Sequence, residues 1–588
     1  MKVGPVFFDH VYSEKIPKRS RHAYDTHEGT MRQWLFLCII FGFLGLLLAR
    51  LFFLQVVEGA YYHQLSDSNR IRSISIHAPR GVIFDRNGNP LVINTPGYRE
   101  VVNGHTKLIN TTAALALLAK GDTHLEVDSL RDYPCQNACA DVVGYVGQIT
   151  ANDLKNPLFA NYLPTDIVGK MGVEQYYEPL LKGIDGAKLV EVDATGKQIR
   201  VLGETDPVPG QNITLTISER LQQQVMQAMS GTKKGAVVVS TPNGQILALY
   251  SQPSFDPNMF TMGKSYRASV SAQYQTVSQV LLDSANQPLL DRAIAGTYPP
   301  GSTFKIVVAA AALQNNVIYK NFTIQDPGIL HVGNFSFANW YYTDYGKTDG
   351  TVNVVKAIQR SNDIFFYKVG QMVGVGRLSA FAALFGLGSP LGIDLPGEQA
   401  GLLPTKEWKQ KVIGQPWYLG DDYHYGIGQG YLLTTPLQVN MWTQAVANNG
   451  TLYLPHVLKS IPPTVLHSNL LTKENADLIR TGMVEACNTG GVAWPLFNFT
   501  VQNPSLPVDG ENVVMATGSG TLKHVVIACK TGTAQHGGAT TPPDAWLTLY
   551  APAYKPQIII TVLVENSGEG STVAGPIAKQ ILTYYFGK

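Results

Sequence analysis

Apolar residues are distributed unevenly along this chain of 588 residues. Near the N-terminus, an uncharged apolar run extends from Trp34 to Ala49 and resumes after Arg50 as far as Val57. As a helix, residues 34–57 would be about 36 Å long, which exceeds the roughly 30 Å hydrocarbon core of a bilayer. The pattern therefore predicts one transmembrane helix.

The segment before this helix, residues 1–33, is basic and has little apolar periodicity, which is typical of a disordered tail. Positive charge beside a span favours the cytoplasmic side, so we expect a cytoplasmic N-terminus and everything after residue 58 outside. A cleaved signal peptide is the alternative. The length of the apolar run and the lack of a small-residue cleavage motif after it argue against that alternative.

Between the span and about residue 217, the pattern indicates mostly short strands. Alternating apolar residues and an Asn-Gly turn predict a hairpin within residues 59–102. Signals are mixed from about 103 to 167, with a helix expected around Ala113–Ala119. Strand patterns return up to about residue 205 and again at Gln211–Ser218.

The remainder of the chain has strand patterns at both ends and helical patterns in the middle. This arrangement predicts an α/β domain whose antiparallel five-stranded sheet is closed by the two ends of the segment. The predicted strands and the last helix are Gly235–Ser240, Gln245–Tyr250, Lys523–Lys530, Ala545–Tyr550, Gln557–Val564 and Val573–Phe586.

Composition excludes few classes of function. The net charge is +2, so a polyanionic partner such as nucleic acid is not implied. Five cysteines are too few and too scattered for a disulfide framework. Cys135 and Cys139 are close enough to pair in an oxidising compartment, but two free thiols fit equally well. Cys529 is expected to be a core residue on the sheet face opposite Lys530.

Candidate chemistry begins with the run from Gly296 to Lys305. Pro299-Pro300-Gly301 turns the chain, and the Ala-rich apolar residues that follow predict a buried helix. Ser302 and Lys305 are three positions apart and so share a helix face. A serine becomes a good nucleophile when a base takes its proton, and a lysine is such a base when burial lowers its pKa.

Two further runs complete a recognisable set. Ser361-Asn362-Asp363 lies between helical segments, and Lys530-Thr531-Gly532-Thr533 ends a predicted strand. S-x-x-K alone occurs by chance in many helices, but its combination with S-x-N and K-T-G is typical of penicillin-binding proteins and β-lactamases. The chain resembles a class B penicillin-binding protein over nearly its whole length. The run from Ala78 to Gly88 is similar to that family's pedestal.

The resemblance implies a transmembrane helix, a β-rich extended pedestal and a penicillin-binding transpeptidase domain of the serine β-lactamase type. The implied divisions are a cytoplasmic tail (1–33), the span (34–57), a dimerisation-type pedestal (58–217) with a head-like insert (about 103–167), and the transpeptidase domain (218–588). The Gly169–Glu178 segment and the lack of a C-terminal addition favour the elongation-type subgroup, penicillin-binding protein 2, over the division type.

The resemblance also implies roles for the motif residues. Ser302 would form an acyl-enzyme, Lys305 would take its proton, and Ser361 and Asp363 would pass or hold protons across the cleft. The residues expected to bind the substrate carboxylate and backbone are Lys530, Thr531, Gly532 and Thr533. The backbone N–H groups of Ser302 and Thr533 would stabilise the oxyanion.

The middle motif departs from the commoner family form because Asp363 replaces an asparagine. Of two arrangements, we favour one in which Asp363 faces a donor such as Lys530 while burial keeps Lys305 neutral. In the other, Lys305 and Asp363 form a charged pair and Ser361 relays the proton.

Other polar residues have simpler interpretations. Arg80, Asp85 and Arg86 are expected to form a structural ion network. The glycines between Gly426 and Gly430 are expected to allow close packing below the site. The remaining candidates for metal ligands are Asp326, His331 and His424, but their spacing is not that of a metal site. We therefore expect neither a metal nor a cofactor.

The resemblance implies a peptidoglycan D,D-transpeptidase that cross-links stem peptides and is acylated by β-lactams. It would lie in the inner membrane as a single-pass protein. Expected partners are a polytopic membrane glycosyltransferase and elongation-complex proteins. The rival interpretations are a D,D-carboxypeptidase or β-lactamase that uses water as acceptor, and a β-lactam sensor or inactive scaffold.

Overall fold

The computed structural model describes residues 27–102, 105–120, 125–193, 197–263, 266–270, 272–503, 514–517, 520–537 and 540–587. The predicted disordered tail lies outside the described residues as far as residue 26. Helix α1 begins at His27, before the expected start at Trp34, and continues into a π-helical turn, Phe53–Val57. Residues Met31–Val57 are long and apolar enough for a membrane span, which fits a single-pass anchor.

Before residue 218, the described residues form the long helix α1, several shorter helices and ten strands. Its helices and strands are, in chain order, α1 His27–Phe52, α2 Gly59–Arg70, β1 Ile71–Ile76, β2 Ile83–Phe84, β3 Pro90–Val102, β4 His105–Asn110, α3 Thr111–Leu118, β5 Leu125–Asp132, α4 Ala140–Val143, β6 Val146–Gln148, β7 Ile167–Gly169, α5 Gly172–Tyr176, α6 Glu178–Leu181, β8 Gly186–Val192, β9 Gln198–Thr205 and β10 Ile213–Thr214.

The chain divides into two compact units. The smaller consists of residues 1–74 and 187–205, and β8 lies between β1 and β9 in its three-stranded sheet. The larger consists of residues 75–186 and 206–588. Its N-terminal part contains a sheet of order β10-β2-β3-β4, with β5 also paired to β3.

The remaining helices and strands belong to the larger unit. They are α7 Glu219–Met229, β11 Gly235–Ser240, β12 Ile246–Gln252, α8 Asn258–Thr261, α9 Val277–Leu282, α10 Lys305–Gln314, β13 Thr323–Asp326, β14 Ile329–Val332, β15 Phe335–Ala338, α11 Trp340–Tyr345, β16 Gly350–Asn353, α12 Val354–Arg360, α13 Asp363–Val373, α14 Val375–Leu384, α15 Lys406–Val412, α16 Leu419–Gly426, α17 Pro436–Ala447, β17 Leu452–Tyr453, β18 Val465–His467, α18 Lys473–Ala486, β19 Thr500–Val501, β20 Val514–Thr517, β21 Gly520–His524, β22 Ala528–Ala534, β23 Asp544–Ala551, β24 Ile558–Val564 and α19 Ala574–Phe586.

The predicted five-stranded antiparallel sheet is confirmed, with strand order β12-β11-β24-β23-β22. Side chains alternate between its faces: Ala236 and Val238 join one core with α10 and α17, whereas Val237 and Val239 join another with α7 and α19. Helices therefore cover both faces, as expected.

One strand boundary differs from the sequence prediction. Residues 523–530 were expected to form a single strand, but β21 ends at His524 and pairs with β19 and β20 in a separate sheet. Strand β22 starts at Ala528 and continues to Ala534. Lys530 therefore lies inside the sheet's edge strand rather than at its end, because residues 525–527 separate strands of two different sheets.

The expected ion network near Arg80 has different members. Arg80 pairs with Glu174 and Glu178, at 2.7 Å in each case. Asp85 instead accepts hydrogen bonds from the backbone of its own turn, and Arg86 forms no ion pair with a described residue. The network is structural, but its carboxylates come from distant sequence positions.

Four of the five cysteines form two disulfide bonds, and Cys38 in α1 is free. Cys135 pairs with Cys139, which decides between the two alternatives for these residues. Cys529 is buried as expected, and it is also bonded to Cys487, 42 positions earlier in the chain. Nothing in the spacing of these two cysteines indicated that bond.

Candidate functional site

The first motif lies on a tight turn against the sheet. Gly301 adopts φ +54°, a left-handed conformation that favours glycine, and opens the 3-10 turn Gly301–Phe304 that leads into α10. Trp546 Nε1 donates to Pro299 O at 3.0 Å, which fixes the turn to β23. Ser302 is thereby held, half-buried, one turn before Lys305.

Glycines allow the turn to approach its neighbours closely. A Cβ on Gly428 would collide with Gly301 O, and the Gly301 N–H donates to Gly428 O at 2.9 Å. A Cβ on Gly532 would lie 3.1 Å from Pro300 O. The expected packing role of the 426–430 segment therefore holds at Gly428, and the first and third motifs are in contact.

Lys305 is fully buried at the start of α10. Its Nζ donates to Ser361 O at 2.7 Å and to Asp363 Oδ1 at 2.7 Å, and lies 3.3 Å from Ser361 Oγ. Burial lowers the pKa of Lys305, and the charge of Asp363 only partly opposes that shift. No hydrogen bond between Lys305 and the Ser302 hydroxyl is present among the described residues.

The second motif forms the break between α12 and α13. Ser361 adopts a left-handed conformation with φ +52°, a strained geometry for a residue with a side chain. Asn362 caps α13 by accepting from Phe365 N, and its Nδ2 donates to Asp326 Oδ2 at 2.8 Å and Asp349 Oδ2 at 2.9 Å. These contacts hold the strained turn in place.

Asp363 faces Lys305, not Lys530, so the position favoured for Asp363 from the sequence is wrong. Its Oδ2 accepts from the Trp340 N–H at 3.0 Å, and its own N–H donates to Asn339 Oδ1 at 3.1 Å. Both carboxylate oxygens therefore have partners. Asn339 and Trp340 were not identified from the sequence, because only the fold brings the start of α11 beside this motif.

The third motif supplies a second buried lysine. Lys530 Nζ donates to Ser361 Oγ at 2.8 Å and to Thr531 O at 3.0 Å. Burial holds the pKa of Lys530 well below its usual range, and the neighbouring charge of Lys305 lowers it further. Thr531 is buried, whereas Thr533 is exposed.

Ser361 is the centre of the resulting cluster, because its hydroxyl lies within 3.3 Å of Lys305 Nζ and 2.8 Å of Lys530 Nζ. The cluster contains two lysines and a single carboxylate. Such a group has more amines than the buried charge of Asp363 can balance, which favours loss of a proton. The three motifs thus provide a half-exposed serine one turn before a buried lysine whose pKa is lowered.

Profiles of two protein families match this chain. The penicillin binding protein transpeptidase domain matches residues 234–583, and the penicillin-binding protein dimerisation domain matches residues 122–215. The first match alone covers more than half of the chain. This protein belongs to the penicillin-binding protein family.

Characterised relatives place it near penicillin-binding protein 2. The peptidoglycan D,D-transpeptidase MrdA of Escherichia coli (strain K12) is 33% identical over 602 residues, covering 92% of this chain and 91% of that protein. Penicillin-binding protein 2 of Pseudomonas aeruginosa, solved in complex with WCK 5153, has a TM-score of 0.67 at 32% identity and covers 87% of this chain and 96% of that one.

A third relative was solved with a partner. The complex of penicillin-binding protein 2 and MreC from Helicobacter pylori contains a chain similar to this one, with a TM-score of 0.70 at 28% identity and coverage of 88% and 98% of the two chains. The elongation-type subgroup inferred from the sequence is therefore confirmed.

Proposed function

We propose that this penicillin-binding protein cross-links peptidoglycan through an acyl-enzyme on Ser302. The Ser302 oxygen attacks the carbonyl carbon between the two D-alanines of a stem peptide, and the terminal D-alanine leaves as an amine. An amine of a second stem peptide then attacks the ester, forms the new amide and releases the serine. The observation that carries this assignment is the cluster of amines with lowered pKa beside the Ser302 turn.

Lys305 is the base that takes the Ser302 proton. A neutral amine has two hydrogens and one lone pair, and two acceptors lie at 2.7 Å from Lys305 Nζ: Ser361 O and Asp363 Oδ1. With both hydrogens used, the lone pair remains for the Ser302 hydroxyl. Burial lowers the pKa of Lys305 and so favours this neutral form.

Asp363 and Ser361 complete the proton path. Asp363, held by the Trp340 N–H, orients the Lys305 amine and stabilises the ammonium that forms when Lys305 takes the proton. Ser361 Oγ lies between the two lysines, so it can pass a proton toward the leaving amine. This arrangement replaces the one in which Asp363 faces Lys530.

The third motif binds the substrate. A substrate carboxylate beside Lys530 would raise that lysine's pKa and restore its positive charge. The residues that contribute hydroxyls and an unobstructed strand edge are Thr531, Gly532 and Thr533. The backbone N–H groups of Ser302 and Thr533 are the oxyanion donors, and the contact between the Gly301 turn and Thr533 O supports their proximity.

The apolar N-terminal helix anchors the protein in the inner membrane, with the N-terminus in the cytoplasm and the catalytic domain outside. The basic character of residues 1–33 supports this orientation. Partners are a polytopic membrane glycosyltransferase and elongation-complex proteins. One structural relative was solved with MreC, and another comes from a peptidoglycan synthase complex that coordinates polymerization and crosslinking. β-Lactams acylate the same serine.

We retain the domain divisions at 33/34, 57/58 and 217/218 as part of this proposal. The two family profiles, at 122–215 and 234–583, lie on opposite sides of the last division. Helix α7, which begins at Glu219, opens the transpeptidase domain in this scheme.

The test is to label membranes containing the full-length protein with a fluorescent penicillin and to map the modified residue by mass spectrometry. We expect the adduct on Ser302 and complete loss of labelling in Ser302→Ala. The matched control is Ser278→Ala, which changes an exposed serine of α9 and should label normally. An adduct on Ser361, or labelling that persists in Ser302→Ala, would overturn the assignment.

A further inference from the structure

The disulfide between Cys487 and Cys529 joins a helix to the strand that carries the third motif. Cys487 caps the C-terminus of α18, and Cys529 directly precedes Lys530 in β22. The two Cα atoms are 5.9 Å apart. Strand β22 is the edge strand of the five-stranded sheet, so β23 holds it on one side only. The disulfide is therefore a covalent link between α18 and the edge strand of the sheet.

Helix α18 in turn packs closely on α12, the helix that ends at Ser361. A Cβ on Gly482 would lie 2.7 Å from Ile358 Cβ and 3.1 Å from Val355 O, so these two helices are in close contact. Arg360 Nη1 also donates to Gly490 O, in the loop after α18, at 3.1 Å. The end of α18 is thus fixed to the helix that presents the second motif.

These contacts form a continuous series that begins and ends at Ser361. It runs from Ser361 through α12 to α18, across the disulfide to Cys529, and from Lys530 back to Ser361 through a 2.8 Å hydrogen bond. We propose that the Cys487–Cys529 disulfide is a positioning element that holds Lys530 in register with Ser361. This inference rests on the proposed role of Lys530 in binding the substrate carboxylate.

The disulfide acts through Lys530 rather than on the substrate. Cys487 and Cys529 are buried with Val525, Ile527 and Leu549 on the sheet face opposite the site. Without the bond, β22 would keep its ladder with β23 and its packing on the Gly301–Phe304 turn, but it would lose its covalent link to α18. A displacement of about 1 Å is enough to cost a large part of an oriented interaction.

The test compares the double variant Cys487→Ala/Cys529→Ala with a matched control, Cys135→Ala/Cys139→Ala, which removes the other disulfide. Acylation rates of the full-length protein are measured with a penicillin bearing its free carboxylate and with its methyl ester. We expect the first variant to lose roughly tenfold in the rate for the carboxylate form but little in the rate for the ester. The ratio of the two rates should stay near the wild-type value in the control.

A purely structural role would lower thermal stability and affect both penicillins equally, so an unchanged ratio would overturn the inference. If the double alanine variant does not fold, Cys487→Ala/Cys529→Val restores packing volume and is measured in the same way. Recovery of the wild-type ratio in that variant would also overturn the inference. Ser302→Ala tests the proposed function separately from the inference about the disulfide. Labelling that persists in Ser302→Ala would overturn the proposed function, whatever the result with the disulfide variants.

Discussion

Two buried groups of charged residues in this protein differ in their numbers of positive and negative side chains. In the pedestal part, two arginines face two glutamates: Arg80 contacts Glu174 and Glu178 at 2.7 Å, and Arg131 contacts Glu174 at 2.6 Å. In the site, two buried lysines are accompanied by one carboxylate, Asp363, which contacts Lys305, while Lys530 donates to Ser361 Oγ. The first group can remain fully ionised without net buried charge, whereas the second cannot.

The pKa directions follow from that difference. Burial opposes charge in both groups, but in the pedestal the glutamates raise the pKa of Arg80, and the arginines lower that of Glu174. In the site, burial prevails and lowers the pKa of both lysines. A balanced group stabilises the ionised forms of its members, whereas an unbalanced one favours loss of a proton. The number of opposite charges therefore distinguishes the structural ion pairs of the pedestal from the reactive lysines of the site.

The largest expected effect comes from removing the amine of Lys305. Lys305→Met keeps most of the side-chain volume but has neither a lone pair nor a charge. We expect the second-order rate of penicillin acylation to fall by about a thousandfold or more, roughly 4 kcal/mol in the barrier. The thermal midpoint is measured in parallel as a check of folding. A rate within tenfold of the wild-type value would show that Lys305 is not the base.

A variant in the balanced group should behave in the opposite way. Arg80→Met leaves Glu174 and Glu178 buried with Arg131 alone, and we expect a loss of about 3–5 kcal/mol in the free energy of unfolding. The acylation rate of the folded protein should be unchanged. Arg86→Met is the matched control, because Arg86 makes no ion pair with a described residue and should change stability little. A normal melting curve for Arg80→Met would remove the structural role of that group.

The smallest expected effect comes from changing the charge but not the shape of the site. Asp363→Asn keeps an acceptor oxygen, so we expect acylation within about tenfold of wild type, or roughly 1.4 kcal/mol. Because the carboxylate raises the pKa of Lys305, its removal lowers that pKa further and should move the acidic limb of the pH–rate profile to lower pH.

Asp363→Ala also removes the acceptor and should cost more than Asp363→Asn. The pH–rate profiles of both variants are measured on the purified protein. If the acylation rate of Asp363→Asn is a thousandfold lower while the protein stays folded, the negative charge itself is required. The mechanism with a neutral Lys305 amine would then be wrong.

The sequence by itself determined the fold class and the motif residues. The apolar run of α1, the five strand patterns and the Pro-Pro-Gly turn before Ser302 are local signals, since periodicity and backbone restrictions act over a few residues. Three motifs in one order identified the family. The strand boundary at Ala528 was missed because a continuous apolar run gives no sign that it passes from one sheet to another.

Only the tertiary structure decided which partners these residues meet. That Asp363 faces Lys305, that Trp340 holds Asp363, that Cys487 bonds to Cys529 and that Arg80 pairs with Glu174 all join positions far apart in the chain. Such contacts depend on how helices and strands pack, and the sequence pattern of each element is compatible with several packings. The pKa of a buried lysine depends on these same neighbours, so the chemistry of the site was fixed at that level.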